Sequence, residues 1–400
     1  MTDRDLRCFG QTDRPHQTLS EYWESIQVDL RIPEKIQGPE DVRELNPAHF
    51  VDRLEVGDAS LGWPEIYRIK VPGHKTMAGW TNVYVIKQGQ DAMVVDTGAP
   101  ADISRYIFSG ALVYLEVDPS RAAYFITHPH LDHAGLVDDC VPKDARLYTG
   151  RADYGFMVRS LSQDYMVEQS KRILDLGFSY SGIESISRFG TGVLAFDSKG
   201  RNLKLVRDGD AITAGNLRFT VVGTPGHTPG HMTLLYQGPD GRSVLFSGDH
   251  LLFNVTPGLS FRPGWHSAMS DYIESMRKVV RLNPDWVLGA HGGYEEDWRP
   301  RAKWLVDHAL RRADRTLRYI DEHPGVSGAQ VIRNMGWRMQ ETWDQVPAAQ
   351  KWFMVETGLT VLDYLEGSSL VVSRRNQYGM VCYWTLEDAV GLVLEDCAGI

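Results

Sequence analysis

The sequence predicts an α/β (α+β) fold, and three observations carry that prediction. Short apolar segments rich in valine, isoleucine and phenylalanine stop at glycine, proline or a polar residue, which is strand length rather than helix length. Other segments space their apolar residues three to four apart, the pattern of one helix face. Several of the strand-like segments end in a histidine or an aspartate. A sheet built from them would bring those groups together from separate strand ends.

Residues 1–60 are rich in charge and proline, with short helical candidates at 18–26 and 39–45, and read as an N-terminal extension. A main region over 61–300 follows. Strands are expected at 65–71, 82–87 and 92–95, punctuated by Gly and Pro. The loop 72–80 between the first two is a candidate substrate flap carrying Met77 and Trp80. The strand 122–126 runs into Thr127-His128-Pro129-His130-Leu131-Asp132-His133, and a helix-compatible stretch follows at 134–138. Helical periodicity spans 150–190 through Met157, Leu161, Tyr165 and Ile173. The strand 217–222 leads to the turn Thr224-Pro225-Gly226-His227-Thr228-Pro229-Gly230-His231. The strand 243–246 leads to Ser247-Gly248-Asp249-His250, and 285–287 leads to Gly289-Ala290-His291-Gly292.

A C-terminal region occupies 301–400. Leu305, Ala309, Leu310, Ala313, Leu317 and Ile320 mark a long helix over 301–320, stopped by His323-Pro324-Gly325. Ser327 can cap a helix over 328–335, another helix is expected at 355–365, and 370–372 and 380–384 form a hairpin across Asn376-Gln377-Tyr378-Gly379. Helix, helix and wing make a winged-helix-like α+β unit. Its long helix carries Arg311, Arg312, Arg315 and Arg318, but Asp307, Asp314 and Asp321 are interleaved, so it reads as a solvated mixed-charge face.

Three imidazoles and a carboxylate within six residues are costly to crowd unless a positive charge sits between them. Imidazole and carboxylate suit zinc, iron or manganese. Thus His128, His130, Asp132 and His133 form one ligand group on a strand-to-helix loop, and His227, Asp249 and His291 are single candidates at later strand ends. Cys8, Cys140, Cys382 and Cys397 are scattered without CxxC spacing, so the ligands are nitrogen and oxygen.

These residues resemble the metallo-β-lactamase superfamily of dinuclear metallohydrolases. The HxHxDH run at 128–133, TPGHT at 224–228, GDH at 248–250, AHGG at 290–293 and the strand-end Asp96 occur in that family's order. The resemblance implies an αββα sandwich and two divalent ions, zinc first, with iron or manganese as alternatives. It assigns His128, His130 and His227 to one ion and Asp132, His133 and His291 to the other, with Asp249 bridging. Asp132 and Asp249 would fix a metal-bridging hydroxide and so are the catalytic candidates. Asp96 and His231 read as groups that orient ligands, and His250 as either such a group or a pocket wall. The run from Asp249 into a long helix and winged-helix-like unit is similar to one branch of the superfamily.

The implied reaction is hydrolysis of an activated acyl bond. The TPGHTxGH turn resembles hydroxyacylglutathione hydrolases, which favours a thioester or ester, such as an acyl-CoA or related organic acid derivative. Alternatives are a lactone or β-lactam, a phosphodiester or RNA, and a mononuclear iron dioxygenase of persulfide type. Related lactonases place a Tyr soon after the bridging Asp, where Leu251, Leu252 and Phe253 stand here. Zinc β-lactamases lack the bridging Asp, and the persulfide enzymes use fewer ligands. Phe253 and Trp265 join Met77 and Trp80 as candidates to wall the pocket.

Hydrophobic residues make up 42% of the chain and charged ones 24%, the proportions of a globular protein. The formal net charge of -10 disfavours a nucleic-acid partner. No apolar run approaches the ~20 residues of a membrane span. The polar start and scattered cysteines fit a cytoplasmic protein that acts on a small molecule, with a homodimer as its candidate assembly.

Overall fold

The computed structural model describes residues 45–73, 79–178, 195–337 and 342–386. The first sheet has seven strands in chain order: β1 Val51–Arg53, β2 Glu65–Pro72, β3 Trp80–Gln88, β4 Asp91–Val95, β5 Ala123–Ile126, β6 Arg146–Gly150 and β7 Leu203–Val206. Pairing is antiparallel from β1 to β4 and parallel from β4 to β7. The second sheet holds β8 Ala211–Ala214, β9 Leu217–Gly223, β10 Met232–Gln237, β11 Ser243–Gly248 and β12 Trp286–Gly289, in the order β12-β11-β10-β9-β8.

Strand alternation explains the layers. Side chains along a strand point to opposite faces by turns. In β3, Tyr84 and Ile86 join the core between the sheets, whereas Val83 and Val85 join the core under helix α1, Asp102–Tyr114. In β11, Val244 and Phe246 face the inter-sheet core and Leu245 faces the opposite core. That core is covered by α6 Ala268–Leu282 and α7 Arg299–Glu322, which bury Met269, Met276, Leu305 and Leu310. Helix, sheet, sheet and helix therefore stack as an αββα sandwich. Phe108 is fully buried in the core under α1, and Phe125 and Phe246 are fully buried in the core between the sheets. Such burial contributes about 1.5–3 kcal/mol per side chain.

Between α1 and α6 lie α2 Leu131–Ala134, α3 Val137–Cys140, α4 Arg151–Arg159 and α5 Gln163–Asp175. After α7 come β13 Val326–Ser327, α8 Gly328–Arg333, α9 Ala348–Gly367, β14 Val371–Arg375 and β15 Val381–Thr385. The last strands pair in the order β13-β15-β14, so the hairpin expected across 376–379 is present. Ser327 and Gln330 form a reciprocal capping box at the start of α8. Among the described residues, this part shares a buried cluster with the sandwich. Leu359, Val331 and Tyr383 are continuous with Leu245, Met269 and Met276 in one buried cluster.

Four local differences from the sequence reading have physical causes. The helix after the metal motif begins at Leu131, inside the motif, because His130 is already extended at its N-cap. Helix α9 begins at Ala348, directly after Pro347, whose fixed φ suits a helix start. Part of the N-terminal extension is integral, since β1 pairs with β2 at the sheet edge. The Arg-bearing face of α7 is not uniformly solvated: Asp314 is buried against Arg318, and Arg312 packs its guanidinium over the Trp337 ring at 4.9 Å. Most of the extension, most of the 72–80 flap and Met77 lie outside the described residues.

Candidate metal centre

The two sheets are stitched together at the ends that carry the ligands. Asn82 N–H donates to Ala290 O at 2.7 Å, and its side chain donates to Gly289 O and Gly292 O. Tyr84 Oη donates to Gly289 O at 2.7 Å, and Met232 N–H to Thr127 O at 3.0 Å. The loops after β5, β9, β11 and β12 therefore meet in one place. They bring together all seven ligand candidates, as three overlapping groups: His128 with His130 and His227, His128 with His133 and Asp249, and Asp132 with His133 and His291.

In the first group, His128 Nε2, His130 Nδ1 and His227 Nε2 lie 2.9–3.1 Å from one another. Their neighbours fix two of the tautomers. Thr127 Oγ1 donates to the Asp96 carboxyl oxygens, which lie 3.0–3.1 Å away, so its proton goes there. His128 Nδ1, 3.0 Å from Thr127 Oγ1, must then donate, leaving a lone pair on Nε2. His227 Nδ1 donates to Gly258 O at 2.5 Å, which also leaves its Nε2 a lone pair. Two lone pairs facing each other at 3.1 Å repel unless a cation lies between them. Burial, then the neighbouring imidazoles, hold the pKa of His128 well below its ordinary value, and burial with His227 and Arg262 does the same for His130. Burial also lowers His227. Neutral nitrogens at this spacing suit one ion with bonds of about 2.0–2.1 Å.

The second group has the opposite electrostatics. His133 Nδ1 donates to Asp96 Oδ2 at 2.8 Å and His291 Nδ1 to Trp80 O at 3.0 Å, so both Nε2 atoms face inward. His291 Nε2 lies 3.3 Å from Asp249 Oδ1 and 3.5 Å from Asp132 Oδ2. His133 Nε2 lies 3.5 Å from Asp249 Oδ1 and 3.9 Å from Asp132 Oδ1. Charge-assisted hydrogen bonds run at about 2.7–2.9 Å, so these gaps are too long for direct pairing and leave room for a shared ion. His133 Nε2 and Asp249 Oδ1 are indeed buried without a hydrogen-bond partner. Burial disfavours a charged His133, but Asp249, Asp132 and Asp96 outweigh it and hold the pKa well above the usual value. The same contest raises His291 to about 9. Burial would raise Asp249, yet His291 and His133 hold it well below the carboxylate range. The carboxylates call for positive charge at this point, which a divalent ion supplies.

Asp249 stands between the groups. Its Oδ1 faces His133 and His291, and its Oδ2 lies 3.4 Å from His227 Nε2. Its own position is set by His231, whose Nε2 accepts from Asp249 N–H at 3.1 Å and whose Nδ1 is 2.8 Å from Thr224 Oγ1. Both ring nitrogens of His231 are thus engaged away from the ligand groups. Gly248 has φ 52°, and a Cβ there would fall 2.7 Å from His231 Nε2, so only glycine allows this approach. Gly226 is equally constrained, since a Cβ would fall 2.6 Å from Tyr272 Cα. Asp96, at φ 64°, is held in the left-handed region, where it accepts from Thr127 N–H, Thr127 Oγ1 and His133 Nδ1. One carboxylate thereby orients a ligand in each group. His250 is fully buried with its ring against Tyr272, and burial lowers its pKa to about 3.

The pocket candidates fall in three settings. Trp80 is 43% exposed and meets the centre through its carbonyl, which accepts from His291. Phe253 is buried in the core under α6 and α7, 6% exposed. Trp265 is half-buried and donates to Asp271 Oδ2 at 2.8 Å. Other supporting groups went unread in the sequence. Buried Asp153 accepts from Thr228 Oγ1 and Gly230 N–H, fixing the turn that carries His227, and burial raises its pKa to about 6. Arg262, close enough to depress the His130 pKa, donates to Glu356 of α9 at 2.7 Å. None of these carries a local motif.

Fold and site together define a metal-binding hydrolase scaffold. The chain belongs to the metallo-beta-lactamase superfamily, whose family model matches residues 78–291. It is 23% identical over 264 residues to the beta-lactamase-like protein 2 homolog of Caenorhabditis elegans, covering 66% of this chain and 73% of that protein. It is 22% identical over 246 residues to the atrochrysone carboxyl ACP thioesterase of Aspergillus fumigatus, covering 62% of this chain and 61% of that one. A beta-lactamase domain protein from Burkholderia ambifaria shares the fold at TM-score 0.67 and 20% identity, covering 85% of this chain and 99% of its own. The protein is a hydrolase of this superfamily, with a His/Asp centre that fits divalent metal. Among the described residues, no helix is long and apolar enough to cross a membrane.

Proposed function

We propose that the protein hydrolyses a small-molecule thioester or ester at two divalent ions, zinc first, in the cytoplasm. The observation that carries the two-ion reading is Asp249, whose two oxygens face different ligand groups. Bound ions would supply Lewis acidity, lowering the pKa of a water to about 7 and polarising an acyl oxygen. The protein's own groups do the rest. His128, His130 and His227 would hold one ion and Asp132, His133 and His291 the other. Asp249, with one oxygen facing each ligand group, would join in holding both. Asp132, with 23% of its side chain exposed, lies on the open side and can hydrogen-bond the attacking water. The water oxygen bonds to the acyl carbon, the bond to sulfur or oxygen breaks, and the water's proton leaves with the thiol or alcohol.

The acyl reading draws support from the similarity to a named thioesterase and from the formal charge of -10, which disfavours polyanionic substrates. Among the described residues, Trp80, Phe253 and Trp265 are the candidates to contact the acyl group. A panel of thioesters, esters, lactones, phosphodiesters and single-stranded RNA tests the proposal on metal-loaded protein. Thioester or ester turnover is expected. Phosphodiester or RNA cleavage with no acyl hydrolysis would overturn it.

A further inference from the structure

We propose that a cavity behind the metal centre, between the loop 256–259 and helices α6, α7 and α9, binds a short-chain organic monocarboxylate whose head is taken by Arg312. The cavity measures about 50 Å³. At about 10–15 Å³ for each water-sized position, it has room for roughly three to five such positions, enough for a very small organic anion. Its walls are mostly apolar, with Leu259, Met269, Leu305 and Phe353 among them. Its polar lining residues are Thr256, Tyr272, His308, Arg312 and Thr357.

Tyr272 and Thr357 both line the cavity and are 3% and 5% exposed, yet Tyr272 Oη and Thr357 Oγ1 have no hydrogen-bond partner. A buried hydroxyl left unpaired is unfavourable, and natural structures leave few. Two of them at one cavity point to a polar guest. The cation beside them is also under-used. Arg312 is half-buried, and among the described residues no carboxylate pairs with it. Its Nη2 lies 3.3 Å from His308 Nε2, and its guanidinium lies over the Trp337 ring, so the fork is held in place. Burial, with Arg315 nearby, lowers its pKa to about 10, which leaves it charged at neutral pH.

One cation, one imidazole and three hydroxyl side chains, two of those hydroxyls buried and unpaired, set among apolar walls match a carboxylate with a short apolar body. A phosphate would need donors around all its oxygens and would leave the apolar walls unused. The site is distinct from the metal centre but shares a wall with it. Pro257 and Leu259 line the cavity, while Gly258 O between them accepts from His227. The inference does not depend on which bond the enzyme hydrolyses.

Ligand-observed NMR and calorimetry on metal-loaded full-length protein test it, with butyrate, its neutral isostere butyramide, and inorganic phosphate as probes. Butyrate is expected to bind with Kd below about 10 mM, in the range open to so few atoms. Butyramide and phosphate should bind at least about tenfold more weakly, as expected for a charge-assisted site with an apolar body. Arg312→Met and Thr357→Val should each weaken butyrate about tenfold, and His128→Ala should leave it unchanged. If Arg312→Met does not fold, Thr357→Val decides. Absence of butyrate binding, equal binding of butyramide, tighter binding of phosphate, indifference to both cavity variants, or loss in His128→Ala would each overturn the proposal.

Discussion

The two ligand groups are built from overlapping sequence but solve opposite electrostatic problems. His128, His130 and His227 also feel Asp249, which lies 3.4 Å from His227 Nε2, but burial outweighs it and lowers all three. His133 and His291 are as buried, yet Asp249 and Asp132 beside them reverse the shift. Burial alone therefore does not decide the charge of an imidazole; the balance of burial against all the carboxylates around it does. The first group offers lone pairs already free of protons. The second offers a negative pocket that holds protons until a cation replaces them. Asp249 belongs to both and makes the pair one centre.

Removing that shared group is the largest expected effect. Asp249→Ala should lower kcat by about three orders of magnitude or more, the scale seen when a group organising the nucleophile is lost. Bound metal should fall below two ions per chain by elemental analysis. Near-normal turnover with two ions retained would show that the groups function independently.

Asp96 is the next test, because it touches both groups without belonging to either. It accepts from His133 directly and reaches His128 through Thr127. Asp96→Asn should weaken metal binding about 10–100-fold at both positions, the usual cost of losing an orienting carboxylate. Chelator competition with two resolved affinities reads it. A loss confined to one ion would mean that the Thr127 relay is not used.

Much of this centre was legible because its ligands are local in sequence. Four groups lie within 128–133, and each remaining ligand closes an apolar strand, so strand pattern and ligand type coincide. The Ser327 cap was equally readable for the same reason, whereas its reciprocal partner Gln330 went unread. The orienting groups were less so. Trp80 O and Gly258 O are backbone carbonyls and leave no residue signature. Asp153 meets Thr228 across 75 residues, which no spacing rule connects. Strands β6, β7 and β8 are four or five residues long and sit beside helices or turns, where short apolar runs are ambiguous. Arg312 looked like part of a mixed-charge face because the sequence does not show Trp337 folding back over it.

Asp153 sharpens the comparison from the first group's side, because it anchors the turn bearing His227. Its pKa rises from 3.8 to about 6 on folding, chiefly through burial. Between these values the folded chain binds more protons than the unfolded one, so stability from this group is present at low pH and is lost as pH rises through about 6. Asp153→Asn does not titrate. From pH 4 to 7 the wild type should therefore lose about 2 kcal/mol relative to the variant, on the scale of 1.36 kcal/mol per pKa unit. Paired denaturant titrations measure the difference and cancel changes common to both proteins, including metal release. A flat difference, or one of opposite sign, would show that Asp153 is ionised throughout.

Trp80 should give the smallest effect on the metal centre, and the reason separates backbone support from side-chain support. His291 is oriented by the Trp80 carbonyl, which every residue carries, at the first position of β3. That carbonyl is held by the strand: Trp80 pairs with Pro72, and the next residues continue the ladder to β2. The indole itself is 43% exposed and supplies none of this geometry. Trp80→Ala should accordingly change metal affinity by no more than about 0.5 kcal/mol, roughly a factor of two, as for an exposed site away from buried networks. Any larger change should appear in KM for the acyl substrate, where a ring at the mouth would act. A loss of metal affinity as large as that expected for Asp96→Asn would mean that the indole, not the strand, holds His291 in place.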